Sequence, residues 1–437
     1  MKNCKKSIFA LIIVVFLLLG LFSGIVTAEE KEKVIIVSPV WAENNMTGAG
    51  MGTGRNLLEE LSLKHNIEVE FHLSTGSMQE VQEILFRIGS LPKTEEDMFY
   101  VLQSFADERI INFLTPLDKY LKEKPLEGFP EEYSEDMLNI YRKNGSLYAI
   151  PIRGGVWNLW YNKRIFEERG IKEPPRTPEE IYEIAKQCTY TKENGEKVYG
   201  FAPRGVRWSL HEQLAIGARM FGGDLITPDY KITINQPPVI KVLELYQKMY
   251  QEGIMPPNWN SLASSDSDQY LREGRAAMSL ASANYNWRYN DPKVSKEAGN
   301  IVPDLIPLAK NLWSDEKTFS DSISFTWAIA ILKGSTQKDT AWDVIRYLTL
   351  KDSSIEMAKN ENAPVMISVL RWQAEEDPGA QIATKVFKYA RSALPALENS
   401  NQIIDLIGEH MENVILLGKS AQAEMDLAAK EIEKLMK

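Results

Sequence analysis

The stretch YAIPIRGGVWNLWYNKRIFEERGI, residues 148–171, continues through PPRTPEEIYEIAKQC at 174–188 and closes on YGFAPRG at 199–205. Its first part sets Arg153 and two glycines beside Trp157 and Trp160. Its second part carries helix-start chemistry: Thr177 can cap, Pro178 suits the first helical position, and Glu180 completes a capping box. Ile181, Ile184, Ala185 and Cys188 follow at helical spacing. Cys188 is therefore expected on an apolar helix face, as an inert core thiol. The third part brings Arg204 close to Trp208.

Working outward, strands and helices alternate. Residues 34–37 read as a strand, followed by a turn and a helix starting near Arg55. Ile67, Val69, Phe71 and Leu73 alternate with Glu68, Glu70 and His72, the pattern of a half-exposed strand. A helix is expected over 78–89 and a short buried strand over 98–102. Such alternation argues for a mostly parallel α/β sheet. Ligands on these sheets sit beyond the carboxyl ends of the strands, which singles out Trp41, Glu43, Ser104 and Phe105. Further helices start near Pro237 and Lys338, and the last hundred residues read as helical throughout. No internal repeat or low-complexity linker interrupts the chain.

The N-terminus reads as an export signal. Lys2, Lys5 and Lys6 precede the apolar run Ile8 to Leu19, and Val26-Thr27-Ala28 offers small residues for cleavage, giving a mature start near Glu29. An uncleaved anchor is the alternative, because the apolar run is nearly long enough to span a bilayer. Of the two cysteines, Cys4 precedes the apolar core, so Cys188 alone remains after cleavage and no intramolecular disulfide can form. The chain carries 60 acidic against 50 basic residues, and this acidic balance disfavours nucleic acid. Its length after the signal suits two or three domains.

Catalytic signatures mostly fail. GAGMGTGR, residues 48–55, has Thr53 where a G-x-G-x-x-G loop starting at Gly48 needs its third glycine; the frame from Gly50 meets Arg55, and neither supplies a Walker lysine. His211-Glu212 begins like a zinc-protease helix, but Ala215 replaces the second histidine, and the four histidines are scattered, so no metal site is expected. No G-x-S-x-G elbow occurs. Paired carboxylates for glycoside cleavage stay open. Ten tryptophans stand out. Trp41, Trp208 and Trp287 lie in turn-like polar surroundings, near Glu43, Arg204 and Asn284. Flat aromatic platforms with planar polar groups are what a sugar needs, with its apolar C–H faces and its rim of hydroxyls.

NLWYNKRIFEERGI, YGFAPRG, MFGGDLI, TINQPPVIKVLELYQKMYQEGI, YLREGRAAMSLASANYNW, DPKVSKEAGNI and FTWAIAILKGSTQKDTAWDVIRYLT follow one another in an order that resembles the extracellular solute-binding proteins of ABC importers, in the branch that captures sugars and sugar alcohols. The resemblance covers nearly the whole mature chain. It implies a two-lobed α/β fold of the type II periplasmic-binding-protein class. After a signal at 1–28, one lobe would comprise 29–149 and 305–363, the other 150–304 and 364–437. Hinge crossings would lie at 148–151, 300–307 and 362–365. Ligand contacts would come from Trp41, Glu43, Ser104, Arg153, Trp157, Arg204, Trp208, Ser282, Asn284 and Trp327. Trp157 and Trp287 are the attractive stacking platforms. Met366 stands where arginine is common, and Phe325-Thr326 where glycine-rich sequence is usual. The resemblance also implies a monomer that hands a carbohydrate to a membrane permease, catalysing nothing and using no cofactor or metal. Cys4 is not at the cleavage point, which favours a periplasmic or freely secreted protein over a lipoprotein. A polysaccharide-acting enzyme and a sensor outside transport are the competing readings.

Overall fold

A computed structural model describes residues 31–49, 53–73, 78–103 and 106–437. The expected export signal lies outside them. The strands are β1 Glu32–Ser38, β2 Ile67–Leu73, β3 Met98–Leu102, β4 Arg142–Lys143, β5 Ser146–Leu147, β6 Ala149–Asn162, β7 Tyr190–Thr191, β8 Lys197–Phe201, β9 Ala276–Ser282, β10 Ile301–Asp304 and β11 Ser324–Ile331. One sheet has the order β2-β1-β3-β11-β6-β9-β8-β7, with β10 also on β6, and β4 and β5 form a separate hairpin. Expected elements appear at Ile67–Leu73, Met78–Gly89, Met98–Leu102, Pro237–Gln251 and Lys338–Leu348.

Three expectations change. A helix, Val40–Thr47, follows β1 directly, so Trp41 and Glu43 sit in a first helical turn and not in a loop. The sheet is mixed. β1 with β3 and β8 with β9 are parallel, but β3, β11, β6 and β9 pair antiparallel through its centre. The cause is topological: β6 leaves one hydrophobic core for another and β11 returns beside it in the opposite direction. The C-terminal region is interrupted between Tyr389 and Ser400. Pro395 breaks the helical pattern there, and Arg391 turns inward to pair with Asp224 and Asp321.

Buried apolar residues form four clusters among the described residues, and the two largest are distinct. One gathers Val34 to Ile152 with Trp327 to Val369; the other gathers Trp157 to Ile323 with Ala393 to Ile432. β6 runs through both, giving Ile152 to the first and Trp157 to the second. Packing therefore puts the outward passage at 152–157, just past the proline-marked segment 148–151, because Ala149 and Ile150 are buried in the first core. The return lies between Ile323 and Trp327, later than 300–307, because Ile306 and Ile323 pack in the second core. Segment 362–365 touches β6 here: Gly154 N–H donates to Ala363 O at 2.9 Å, and Asn362 Nδ2 to Ile152 O at 2.9 Å. A Cβ on Gly154 would stand 3.0 Å from Val365 and 3.2 Å from Met137. Glycine is thus the residue that lets the segments meet.

The capped helix of the opening stretch forms as Pro178–Gln187, with both halves of the Thr177–Glu180 box present. Its apolar face buries Ile181 and Ala185, and Cys188 is fully buried, its thiol pushed up to about 12 by desolvation. Thr177→Ala should lower stability by about 1 kcal/mol, the usual loss of an N-cap, read from the urea unfolding midpoint at unchanged slope.

Candidate functional site

Where the two cores meet lies a cavity of about 430 Å³, within the roughly 300–1,000 Å³ of small-molecule clefts. Leu102 and Ser282 line it at the carboxyl ends of β3 and β9, and Trp41 and Arg204 just beyond those of β1 and β8, as the strand-end rule anticipates. Arg153 and Trp157 come from β6, and Phe325 and Trp327 from β11. Trp327 pairs with Arg153, and the register slips at the next residue, Ala328 meeting Pro151. A bulge of this kind re-aims side chains beside a site.

Two tryptophan–arginine stacks form the walls. Arg153 lies 4.3 Å over the Trp41 ring, which meets Trp327 edge-on at 5.1 Å. Arg204 lies 4.4 Å over the Trp157 ring. Each such contact contributes roughly 0.5–2 kcal/mol, most when desolvated, and each fixes a guanidinium that would otherwise be floppy. Trp157 is only 1% exposed and carries Arg204 on its face, so it supports that arginine from beneath; Trp208, 41% exposed, presents open aromatic surface. The backbone of Arg204 is pinned as well. Its carbonyl accepts from Trp259 Nε1 at 3.1 Å, and a Cβ on neighbouring Gly205 would fall 1.8 Å from the Trp259 carbonyl oxygen.

Polar groups complete the lining. Arg204 reaches Glu212 at 3.3 Å and the Tyr285 hydroxyl at 3.2 Å. Burial pulls Arg204 down, but Tyr285, Glu212 and Asp268 outweigh it and hold the guanidinium charged above its usual range. Glu212 has only Arg204 to oppose burial, so its carboxyl is raised. Arg288 binds Glu361 through Nε at 2.9 Å and through Nη2, and binds Asp268 through Nη1 at 3.1 Å. Glu361 joins the two cores. It follows the helix Lys351–Lys359, which contributes Met357 and Ala358 to the first core, and it pairs with Arg288 of the polypeptide around the second. Its φ of 68° is left-handed, a conformation that costs an L-residue roughly 1–2 kcal/mol. Bonds to its carbonyl from Arg153 Nη1 at 3.2 Å and Asn284 Nδ2 at 2.8 Å, with the Arg288 pair, offset that cost.

Of the residues singled out in the sequence, Trp41, Arg153, Trp157, Arg204, Trp208, Ser282 and Trp327 line this one cavity. Asn284 stands behind the wall, accepting from Ser282 Oγ. Glu43 is half-buried on the helix of Trp41 and does not line it. Trp287 is half-buried on the helix Asn286–Asn290, away from the lining, and its indole N–H has no acceptor among the described residues. Ser104 and Phe105 lie outside the described residues. Met366, where arginine is common, is buried in the first core and accepts from Ser354 Oγ at 3.3 Å. Asn45, Glu212, Tyr285, Arg288 and Glu361 were not anticipated. Tyr285 and Arg288 flank Trp287 in SANYNWRYND and were within reach of that reading; the left-handed turn at Glu361 leaves no mark in sequence.

A second cavity, about 520 Å³, is lined by Arg219, Asp224, Asp321 and Arg391 on the second core alone. Its cations are consumed: Arg219 by Asp224 and three backbone carbonyls, Arg391 by Asp224 and Asp321, Lys317 by Asp321. The cavity between the cores is therefore the better candidate.

A family model described as bacterial extracellular solute-binding protein matches residues 55–354. A binding protein of Brucella abortus is 23% identical over 327 residues, 74% of this chain and 75% of its own length. Among solved structures, maltose-bound MalE3 of T. maritima superposes with a TM-score of 0.79 at 20% identity, covering 92% of this chain and 99% of that one. An ABC transporter solute-binding protein of Agrobacterium radiobacter in complex with ribitol also reaches 0.79, at 19% identity, covering 92% and 98%. The fold is therefore the two-lobed solute-binding fold.

His211 buttresses the open platform. Its Nδ1 contacts the Trp208 carbonyl at 3.1 Å, and burial lowers its pKa to about 4. The sign follows from linkage: the unfolded chain binds this proton more readily, so the contribution is complete above about pH 6.5 and is lost as pH falls toward 4. His211→Gln should flatten the stability profile between those values, measured by urea unfolding at successive pH. An unchanged slope would assign the acid sensitivity to other groups.

Proposed function

Since this chain belongs to the family of bacterial extracellular solute-binding proteins, we propose that it captures a carbohydrate outside the cytoplasm and delivers it to the permease of an ABC importer. The observation that carries this reading is the cavity itself. Its walls come from both cores, and it combines indole rings, guanidinium groups and the hydroxyls of Ser264, Ser265, Ser282 and Tyr285. Indole faces cover the C–H surfaces of a sugar ring, and the planar and hydroxylic groups pair with its rim. The maltose and ribitol complexes of the fold relatives agree with this class of ligand.

The mechanism is hinge closure. The lobes follow the two cores, and the passages at 152–157 and 323–327 with the 361–365 contact form the hinge. A ligand that touches both lobes stabilises the closed arrangement by its differential affinity. The protein acts as a monomer and without catalysis. Glu212 and Glu361, the carboxylates in the lining, are each tied to an arginine, which removes the free acid–base pair that a glycosidase needs.

A thermal-shift panel of mono-, di- and oligosaccharides, polyols and glycerol phosphates tests the reading, because a ligand bound only by the native state raises the melting temperature. We expect a shift of several degrees for the matching compound, with intact ligand recovered from the complex. Silence across the panel, or turnover of an oligosaccharide, would contradict it. Trp208→Ala should weaken binding about tenfold, the loss of one aromatic contact, while the melting temperature of the free protein stays unchanged.

A further inference from the structure

Three guanidinium groups face the cavity against two carboxylates, and pairing them off leaves Arg153 over. Glu361 spends both oxygens on Arg288, and Asp268, behind the wall, takes another nitrogen of the same arginine. Glu212 belongs to Arg204. Arg153 forms no ion pair among the described residues. Its Nη1 donates to Asn45 Oδ1 at 3.0 Å and to the Glu361 carbonyl at 3.2 Å, both neutral acceptors. Burial pulls its guanidinium below the usual value, with Tyr285 and Glu361 opposing and Arg288 reinforcing the shift.

A half-buried cation without an ion-pair partner is costly. Here the Trp41 ring beneath it and two acceptors on one nitrogen hold it in a single orientation. A planar guanidinium aimed in this way matches the two oxygens of a carboxylate or phosphate. We propose that the carbohydrate taken by this cavity carries an anionic group, a carboxylate or a phosphate, that docks on Arg153. The proposal rests on the carbohydrate reading above and narrows it, setting the ligand apart from the neutral maltose and ribitol of the fold relatives.

Matched pairs test it by calorimetric titration at pH 7 in moderate salt: D-glucuronate against D-glucuronamide, D-galacturonate against D-galactose, D-glucose 6-phosphate against D-glucose, and sn-glycerol 3-phosphate against glycerol. At least one acidic member should bind about 30-fold or more tighter than its neutral partner, the scale of a charge-assisted pair. Uronates and phosphates separate the two anion types. Arg153→Met should bring that ratio close to one, and Arg153→Lys should restore part of it. The comparison on the unaltered protein needs no variant, so it stands even if Arg153→Met does not fold. Neutral compounds binding as tightly as their acidic partners would overturn the anion while leaving the carbohydrate reading intact. Silence from these pairs and from the wider panel would overturn both.

Discussion

Three segments of chain crowd Gly154 and Gly155, where a Cβ would stand 3.0 Å from Val365 and 3.1 Å from Phe325. β6 leaves the first core there, β11 returns beside it, and 362–365 lies against β6, with Gly154 N–H bonded to Ala363 O at 2.9 Å. The rest of the structure depends on this close approach. It sits where the chain passes between the two largest cores on one continuous sheet. It also decides where the functional side chains fall. Arg153 and Trp157 lie on one face of β6 on either side of Gly154-Gly155, so the strand that crosses between the cores carries one arginine–tryptophan partner toward each wall.

The cavity is thereby wired to both sides. Arg153 stacks on Trp41 of the first side, and Arg204 on Trp157 of the second. Glu361 reaches from the first to Arg288 of the second. Desolvation strengthens each of these charged contacts and makes any uncompensated charge expensive. An arrangement that pairs two arginines and leaves a third with neutral acceptors is informative for that reason: the imbalance lies inside the space that a ligand would fill.

Much of this was legible in the residues. Thr177, Pro178 and Glu180 announce a helix start because capping is local chemistry, and it forms as read. Alternation at Ile67–Leu73 is equally local, and the strand has those bounds. Seven residues singled out in the sequence, by side-chain chemistry or by the family resemblance, line one cavity. What escaped depends on long-range packing. The helix carrying Trp41 lacks a capping side chain at Pro39, so nothing local marks its start. The return passage at 323–327 is set by which core buries Ile306 and Ile323, not by the prolines at 303 and 307. Glu361 adopts its turn because partners distant in sequence hold it there.

The central claim is that the cavity between the cores is where the ligand sits. A crystal structure of the complex with the carbohydrate that stabilises the protein most tests this directly. Ligand density is expected between the Arg153–Trp41 and Arg204–Trp157 stacks, in contact with residues of both cores. Density confined to the cavity at Arg219 and Arg391, or contacts with one core alone, would contradict it.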